Sequence, residues 1–210
     1  TIAARAGGGD PNMNARLRMV LFKCRSANMP KENIERAIAK ATGGGEGSNF
    51  EEITYEIFAP HGVALLVPVN TDNRNRTAAE IRSLVTKAGG SLATTGAVSR
   101  LFQRKGQIII TRDAADEDTL MELALEAGAE DFVADANGYE ILTTPAQFET
   151  VHKALEAKDI KCEVAEVTEL PLTTVPLPDA QAAAAVNKLI EALEEHDDVK
   201  EVHSNAASSD

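Results

Sequence analysis

The chain has no tryptophan, two tyrosines, six phenylalanines and only two cysteines among its 210 residues. Cys24 and Cys162 are too few and too far apart for a zinc spacing pattern or a disulfide framework, so reduced thiols in a cytoplasmic setting are the expectation. Cys24 falls on the apolar face of a helical pattern and reads as a small core residue. No apolar run approaches the roughly 18 residues that a bilayer-crossing helix needs, and no membrane partner is expected. Two glycine clusters, GGGDP at 7–11 and GGGEG at 43–47, lack the Gly-Lys-Ser/Thr that completes a phosphate loop, and both read as hinges or helix stops. The histidines, His61, His152, His196 and His203, lie on separate elements with no Ser or Cys partner at a nucleophile spacing. The carboxylate runs Glu194-Glu195 and Asp197-Asp198 lack the glycine-containing loop of a calcium motif and read as solvated surface. These absences leave no catalytic residue, no metal and no cofactor to expect.

What is present is charge, unevenly spread. The net charge of −12 averages over unlike halves. Residues 1–45 carry eight basic against three acidic side chains, residues 46–112 eight against six, and the remainder five against twenty-four. Such asymmetry points to contact with an anionic polymer through one end, with the acidic end facing away. Most of the carboxylates in the acidic half need no role beyond solubility.

The most informative stretch is VNTDNRNRTAAEIR at 69–82, where an apolar strand runs into a helix through a turn of amides and arginines. Arg74 and Arg76 sit beside a helix N-terminus, where unpaired N–H groups and the helix dipole favour an anion such as phosphate. Thr77 with Glu80 three residues on matches a capping box, and capping alone would account for the amides. It does not require arginine.

Along the chain, three regions emerge. To about residue 48 the pattern is helical: Leu17, Val20, Leu21 and Cys24 repeat at i, i+3, i+4, i+7, and a second helix opens at Pro30 with Ile34, Ala37 and Ile38 inward. Thr1 to Arg5 reads as the end of a helix whose beginning lies upstream. The middle region predicts strands around 55–58 and 63–69, a helix through Ile81, Leu84, Val85 and Ala88, then strands at 98–103 and 107–111 joined by a turn at Arg104 to Gly106. Residues 113–174 repeat the grammar: a helix through Leu120, Leu123, Ala124 and Ala127, a hairpin around Asn137-Gly138, a helix through Phe148, Val151 and Leu155, and a strand at 162–167. A last helix through Val186, Leu189, Ile190 and Leu193 and a strand at 199–203 supply what the middle sheet lacks for a ferredoxin-like unit. The expected fold is therefore α+β with three domains: an N-terminal helical basic domain at 1–48, a discontinuous middle α+β domain at 49–112 and 175–205, and an acidic α+β domain inserted at 113–174.

Five segments in register, GGGDPNMNARLR at 7–18, NMPKENIERAI at 28–38, TDNRNRTAAEIR at 71–82, AGG at 88–90 and LFQRKG at 101–106, closely resemble the YebC/PmpR family. AGAEDF at 127–132 and HDDVKEVHSN at 196–205 follow in order, so the resemblance spans essentially the whole chain. The mitochondrial translational activator of cytochrome oxidase subunit one is a relative. The resemblance implies a cytoplasmic protein with an N-terminal helical domain and two α+β domains around a cavity, described in some members as a promoter-binding transcriptional regulator and in others as a factor on translating ribosomes.

Both readings rest on binding of nucleic acid without catalysis. In the first, Arg16, Arg18, Lys23, Arg25, Lys31 and Arg36 with Arg74, Arg76 and Arg82 lie along promoter DNA phosphates. The scarcity of aromatics and the lack of a helix-turn-helix signature leave base readout poorly accounted for. In the second, the same cations grip ribosomal RNA through phosphates and shape. Under either, Arg74→Glu with Arg76→Glu is expected to abolish binding and leave the fold intact.

Overall fold

The computed structural model describes residues 1–42 and 50–207; the glycine cluster at 43–47 lies outside them. Three helices come first: α1 (Ile2–Gly7), α2 (Ala15–Ser26) and α3 (Lys31–Thr42). Then follow β1 (Glu51–Phe58), β2 (Ala64–Thr71), α4 (Arg74–Lys87), the short β3 (Ser91–Leu92) and β4 (Phe102–Thr111). The chain continues with α5 (Glu117–Glu126), β5 (Asp131–Ala134), β6 (Gly138–Thr143), α6 (Phe148–Glu156), β7 (Val164–Pro171), α7 (Ala180–Glu194) and β8 (His203–Ser204). The fold is α+β, an N-terminal helical part with two antiparallel four-stranded sheets, ordered β3-β1-β2-β8 and β5-β6-β4-β7. Among the described residues, one compact unit joins the N-terminal helices to 104–168 and the other joins 50–103 to 169–207.

In the first unit, a buried asparagine ties the helices together. The Asn14 carbonyl caps α2 by accepting from the Leu17 N–H at 3.0 Å, and its amide donates to the carbonyls of Ala3 at 2.7 Å and Gly8 at 2.8 Å. Gly8, at φ 84° and ψ 165°, takes an extended positive-φ conformation open to glycine just past the end of α1. Leu17 and Leu21 pack with Ala3, Ala4 and Ala41 into a small core lined by Ile34 and Ile38. Val20, expected in that stripe, is 37% exposed.

The same unit holds the second sheet, whose spatial order β7-β4-β6-β5 is that of a βαββαβ ferredoxin-like unit. Ile108, Ile110, Tyr139 and Ile141 face Leu120, Ala124, Phe148, Val151 and Leu155 of the two helices. Burying each of the larger aliphatic side chains contributes about 1.5–3 kcal/mol. The sequence expectation of two strands and a turn at 104–106 is corrected here, because β4 is one continuous strand and Gly106 is already paired with Thr143. Gly106 is buried with Thr143 and Phe148 where a Cβ would stand, so the glycine serves close packing and not chain reversal. The domain boundary expected at 112 moves with it: Gly106 to Thr111 pair with β6 in the second sheet, not with the first.

In the other unit, β1 and β2 form an antiparallel pair from Glu51–Thr71 to Phe58–Ala64. Ile57, Leu65, Val67 and Val69 pack against Ile81 and Val85 of α4 and Val186, Leu189 and Leu193 of α7. On the other face of β2, Ala64 and Leu66 join Val98 and Phe102 in a smaller core. β1 occupies the sheet position that the second sheet gives to a strand later in the chain, so this unit keeps the ferredoxin-like spatial order with altered connectivity. The strand expected at 199–203 reduces to His203–Ser204 and a bridge between Val69 and Val199.

The segment after β3 is organised by Glu56. Its carboxylate accepts backbone N–H groups of Gly96 at 2.8 Å, Val98 at 2.8 Å and Ser99 at 2.7 Å. Burial pushes this carboxyl up, but the three N–H donors together outweigh it and hold the group below the usual carboxylate range.

Candidate nucleic-acid interface

Thr71 ends β2 fully buried, and its hydroxyl accepts the Asn73 N–H at 3.0 Å. Asn73 caps α4 through the Arg76 N–H at 3.1 Å, so the amides do cap this helix. The Thr77–Glu80 capping box is not what forms. Thr77 lies inside the helix, fully buried, and donates to Asp198 Oδ2 at 2.7 Å. Its one hydrogen is thereby used, so in the 2.7 Å contact between the two hydroxyls Thr71 is the donor.

The two arginines of the turn part company. Arg76 reaches Asp198 Oδ2 at 2.5 Å, with Asp72 at 3.4 Å and Glu80 at 4.0 Å. Asp198 above all, helped by the other two carboxylates, raises the guanidinium above its ordinary value. A carboxylate of the protein itself therefore pairs with the Arg76 guanidinium that the sequence offers to a phosphate. This overturns the expectation that Arg76→Glu leaves the fold intact, since the new charge would face three carboxylates. Asp198 also corrects the reading of 197–198 as plain solvated surface: its side chain is 12% exposed. Arg74 is 67% exposed and meets Glu51 only at 3.5 Å. Arg82 is exposed.

His196 completes this network. Its Nδ1 accepts the Asp198 N–H at 3.2 Å, which leaves the hydrogen on Nε2, donated to Glu80 Oε2 at 2.7 Å. Glu80, His196 and Asp198 bring ligand atoms within 4.8 Å of one another, a spacing that suits a divalent cation. Arg76 already supplies the positive charge, and the cluster acts as an ion-pair lock between α4 and the segment after α7.

On the N-terminal helices the predicted cations also divide. Arg18 donates to Glu149 at 3.3 Å and to the carbonyls of Pro11 at 3.1 Å and Asn12 at 3.3 Å. Lys23 forms an ion pair with Glu166 of β7. Arg16, Arg25 and Arg36 are exposed, and Lys31 is exposed beside Glu35 at 3.6 Å. Between Arg18 and Lys23, Met19 and Phe22 pack on the core of the second sheet. The Phe22 ring meets His152 edge-on at 5.3 Å, and His152 stacks on Phe148 at 5.7 Å. Helix α2 thus buries two faces. The signal was in the sequence, since Met19 and Phe22 make a second i, i+3 pair; only their partners were not.

The remaining histidines are structural or peripheral: His61 sits exposed in a turn, and His203 lies 3.4 Å from Glu201. No helix among the described residues is long and apolar enough to cross a membrane.

Comparison with known proteins agrees over the whole of this architecture. Residues 1–44 match the model of the TACO1/YebC protein N-terminal domain, and residues 50–206 match that of the TACO1/YebC second and third domain. A "probable transcriptional regulatory protein" of Persephonella marina is 50% identical over 206 residues, covering 98% of this chain and 82% of that protein. A protein of the same name from Leptospira biflexa is 51% identical over 205 residues, covering 98% of this chain and 83% of its own length. The crystal structure of a conserved hypothetical protein from Aquifex aeolicus is 45% identical and superposes with a TM-score of 0.79, covering 99% of this chain and 86% of that one. With both family models matched in order and relatives about half identical across nearly its full length, the chain belongs to the TACO1/YebC family.

Proposed function

We propose that this protein is a non-catalytic, cytoplasmic regulator of gene expression that binds nucleic acid through phosphate contacts, with duplex DNA as the first target. The observation that carries the reading is the excess of eight basic over three acidic residues in 1–45, with Arg16, Arg25, Lys31 and Arg36 on the exposed surface of short helices. Exposed cations on rigid helices suit a polyanion, whose condensed counterions are released on contact. In the other unit, Arg74 and Arg82 are the arginines of α4 that remain available, while Arg76 is a structural residue. The relatives named as transcriptional regulators support the same direction.

A second reading, a factor acting on ribosomal RNA, is favoured by one specific feature. The exposed groups are cations suited to phosphate, with no helix-turn-helix signature to aim an arginine at a base edge and few aromatics; structured RNA recognised by shape needs no base code. Co-sedimentation of the protein with ribosomes, repeated with excess duplex promoter DNA, separates the two. Pelleting that DNA does not displace favours the ribosome. Protein that stays in the supernatant, or is stripped by DNA, favours transcription.

A further inference from the structure

We propose that the acidic module of 113–168 masks part of the cationic surface of the N-terminal helices, with Glu149 and Glu166 holding Arg18 and Lys23 where a polyanion would otherwise bind. The inference rests on the polyanion-binding reading and adds a built-in competitor to it.

Three observations within one compact unit converge. The first is pairing: Arg18 on Glu149 at 3.3 Å and Lys23 on Glu166, two cations five residues apart on α2, both turned to the same module. A carboxylate accepts from guanidinium and ammonium groups much as a phosphate oxygen does, so each glutamate stands in for a phosphate. The second is charge. Residues 113–168 carry fifteen acidic against three basic side chains, and this module is what the Met19 and Phe22 face of α2 packs against. The third is packing. Met19 and Phe22 seat α2 on Phe148 and His152 independently of the ion pairs, so the contact has an apolar anchor and an exchangeable polar rim. The rim pairs are partly solvent-exposed, at 49% and 55% for Arg18 and Glu149, and 38% and 21% for Lys23 and Glu166. Such pairs are weak and screened by salt, so phosphates can displace them. Glu149 is further held by Lys153 at 2.9 Å, which positions its carboxylate on the rim.

The test compares E149Q/E166Q with E122Q/E126Q, which removes the same charge from exposed positions on α5. Both full-length variants are titrated against a labelled duplex DNA and a structured RNA hairpin over a range of salt, and are run on immobilised heparin. Masking predicts that E149Q/E166Q binds several-fold more tightly than the control and that its log K against log salt slope steepens by roughly one to two, near 0.9 for each newly engaged phosphate. It also predicts later elution from heparin. Equal behaviour of the two variants in both assays overturns the mask. Heparin keeps the two ideas separable, because it reports exposed cations whatever the biological target. Later elution without binding to either nucleic acid would uphold the mask and remove the nucleic-acid reading.

Discussion

Asp198 receives Arg76 and Thr77 on the same oxygen, at 2.5 and 2.7 Å. This carboxylate joins the end of the chain to the β2–α4 turn, while the Asp198 carbonyl accepts the Asn70 N–H at 2.8 Å. The lock predicts that Asp198→Asn lowers the melting temperature by several degrees, whereas Asp72→Asn, on the more distant and exposed partner of Arg76, barely changes it. Arg76→Glu should be worse than either, because it sets a fourth carboxylate among three. Thermal melting of the three variants checks the order; equal melting of the Asp198 and Asp72 variants would remove the lock.

Glu56 gives the fold a defined acid response. Its carboxyl is held below the usual range, so the stabilisation is present above the unfolded value of about 4.3 and is lost as pH falls through the lower folded value. Glu56→Gln should cost about 1–2 kcal/mol at neutral pH, after discounting for solvent on a partly exposed group. Chemical denaturation from pH 7 to pH 3 should show the two proteins converging at the acid end. A gap that stays constant would contradict the assignment.

Gly106→Ala should destabilise by about 1–3 kcal/mol, because overpacking a filled site forces neighbours to shift. The new Cβ would strike the Thr143 hydroxyl and stand 2.8 Å from a ring carbon of Phe148. Gly62→Ala serves as the contrast: nothing lies near that Cβ, and the only strain is the left-handed backbone at φ 78°. Urea unfolding of both separates packing from conformation.

Cys162 should be a poor nucleophile. Burial first, and the nearby Glu156 charge second, push its thiol up to about 11. At pH 8 the folded protein should be alkylated there about a hundredfold or more slowly than the unfolded chain, which peptide mapping after iodoacetamide would read. Rapid labelling of the folded protein would show the site to be open.

Much of this architecture was legible in the residues. Period-3.6 stripes such as Ile81, Leu84 and Val85 located helices, and the run of amides and arginines between strand and helix located the turn at 71–77. What sequence could not supply was partners. Arg76 and Arg74 look alike in the sequence, yet only one meets Asp198, 122 residues away. Arg18 and Lys23 look like solvent-facing cations until the acidic module is folded against them. Gly106 reads as a turn because local pattern cannot distinguish a reversal from a strand position crowded by a distant side chain. In each case the deciding contact is long-range, and periodicity carries no long-range information.

On the function proposed above, exposed cations of the N-terminal helices bind a polyanionic nucleic acid. The most direct measurement is fluorescence anisotropy of labelled duplex DNA and of a structured ribosomal RNA fragment with the full-length protein, between about 50 and 200 mM salt, for wild type and Arg25→Glu with Arg36→Glu. Wild-type affinity should fall steeply with salt for at least one ligand, and the variant should keep its melting temperature and bind at least about tenfold more weakly. Salt-insensitive binding, or equal affinity of the variant, would contradict it.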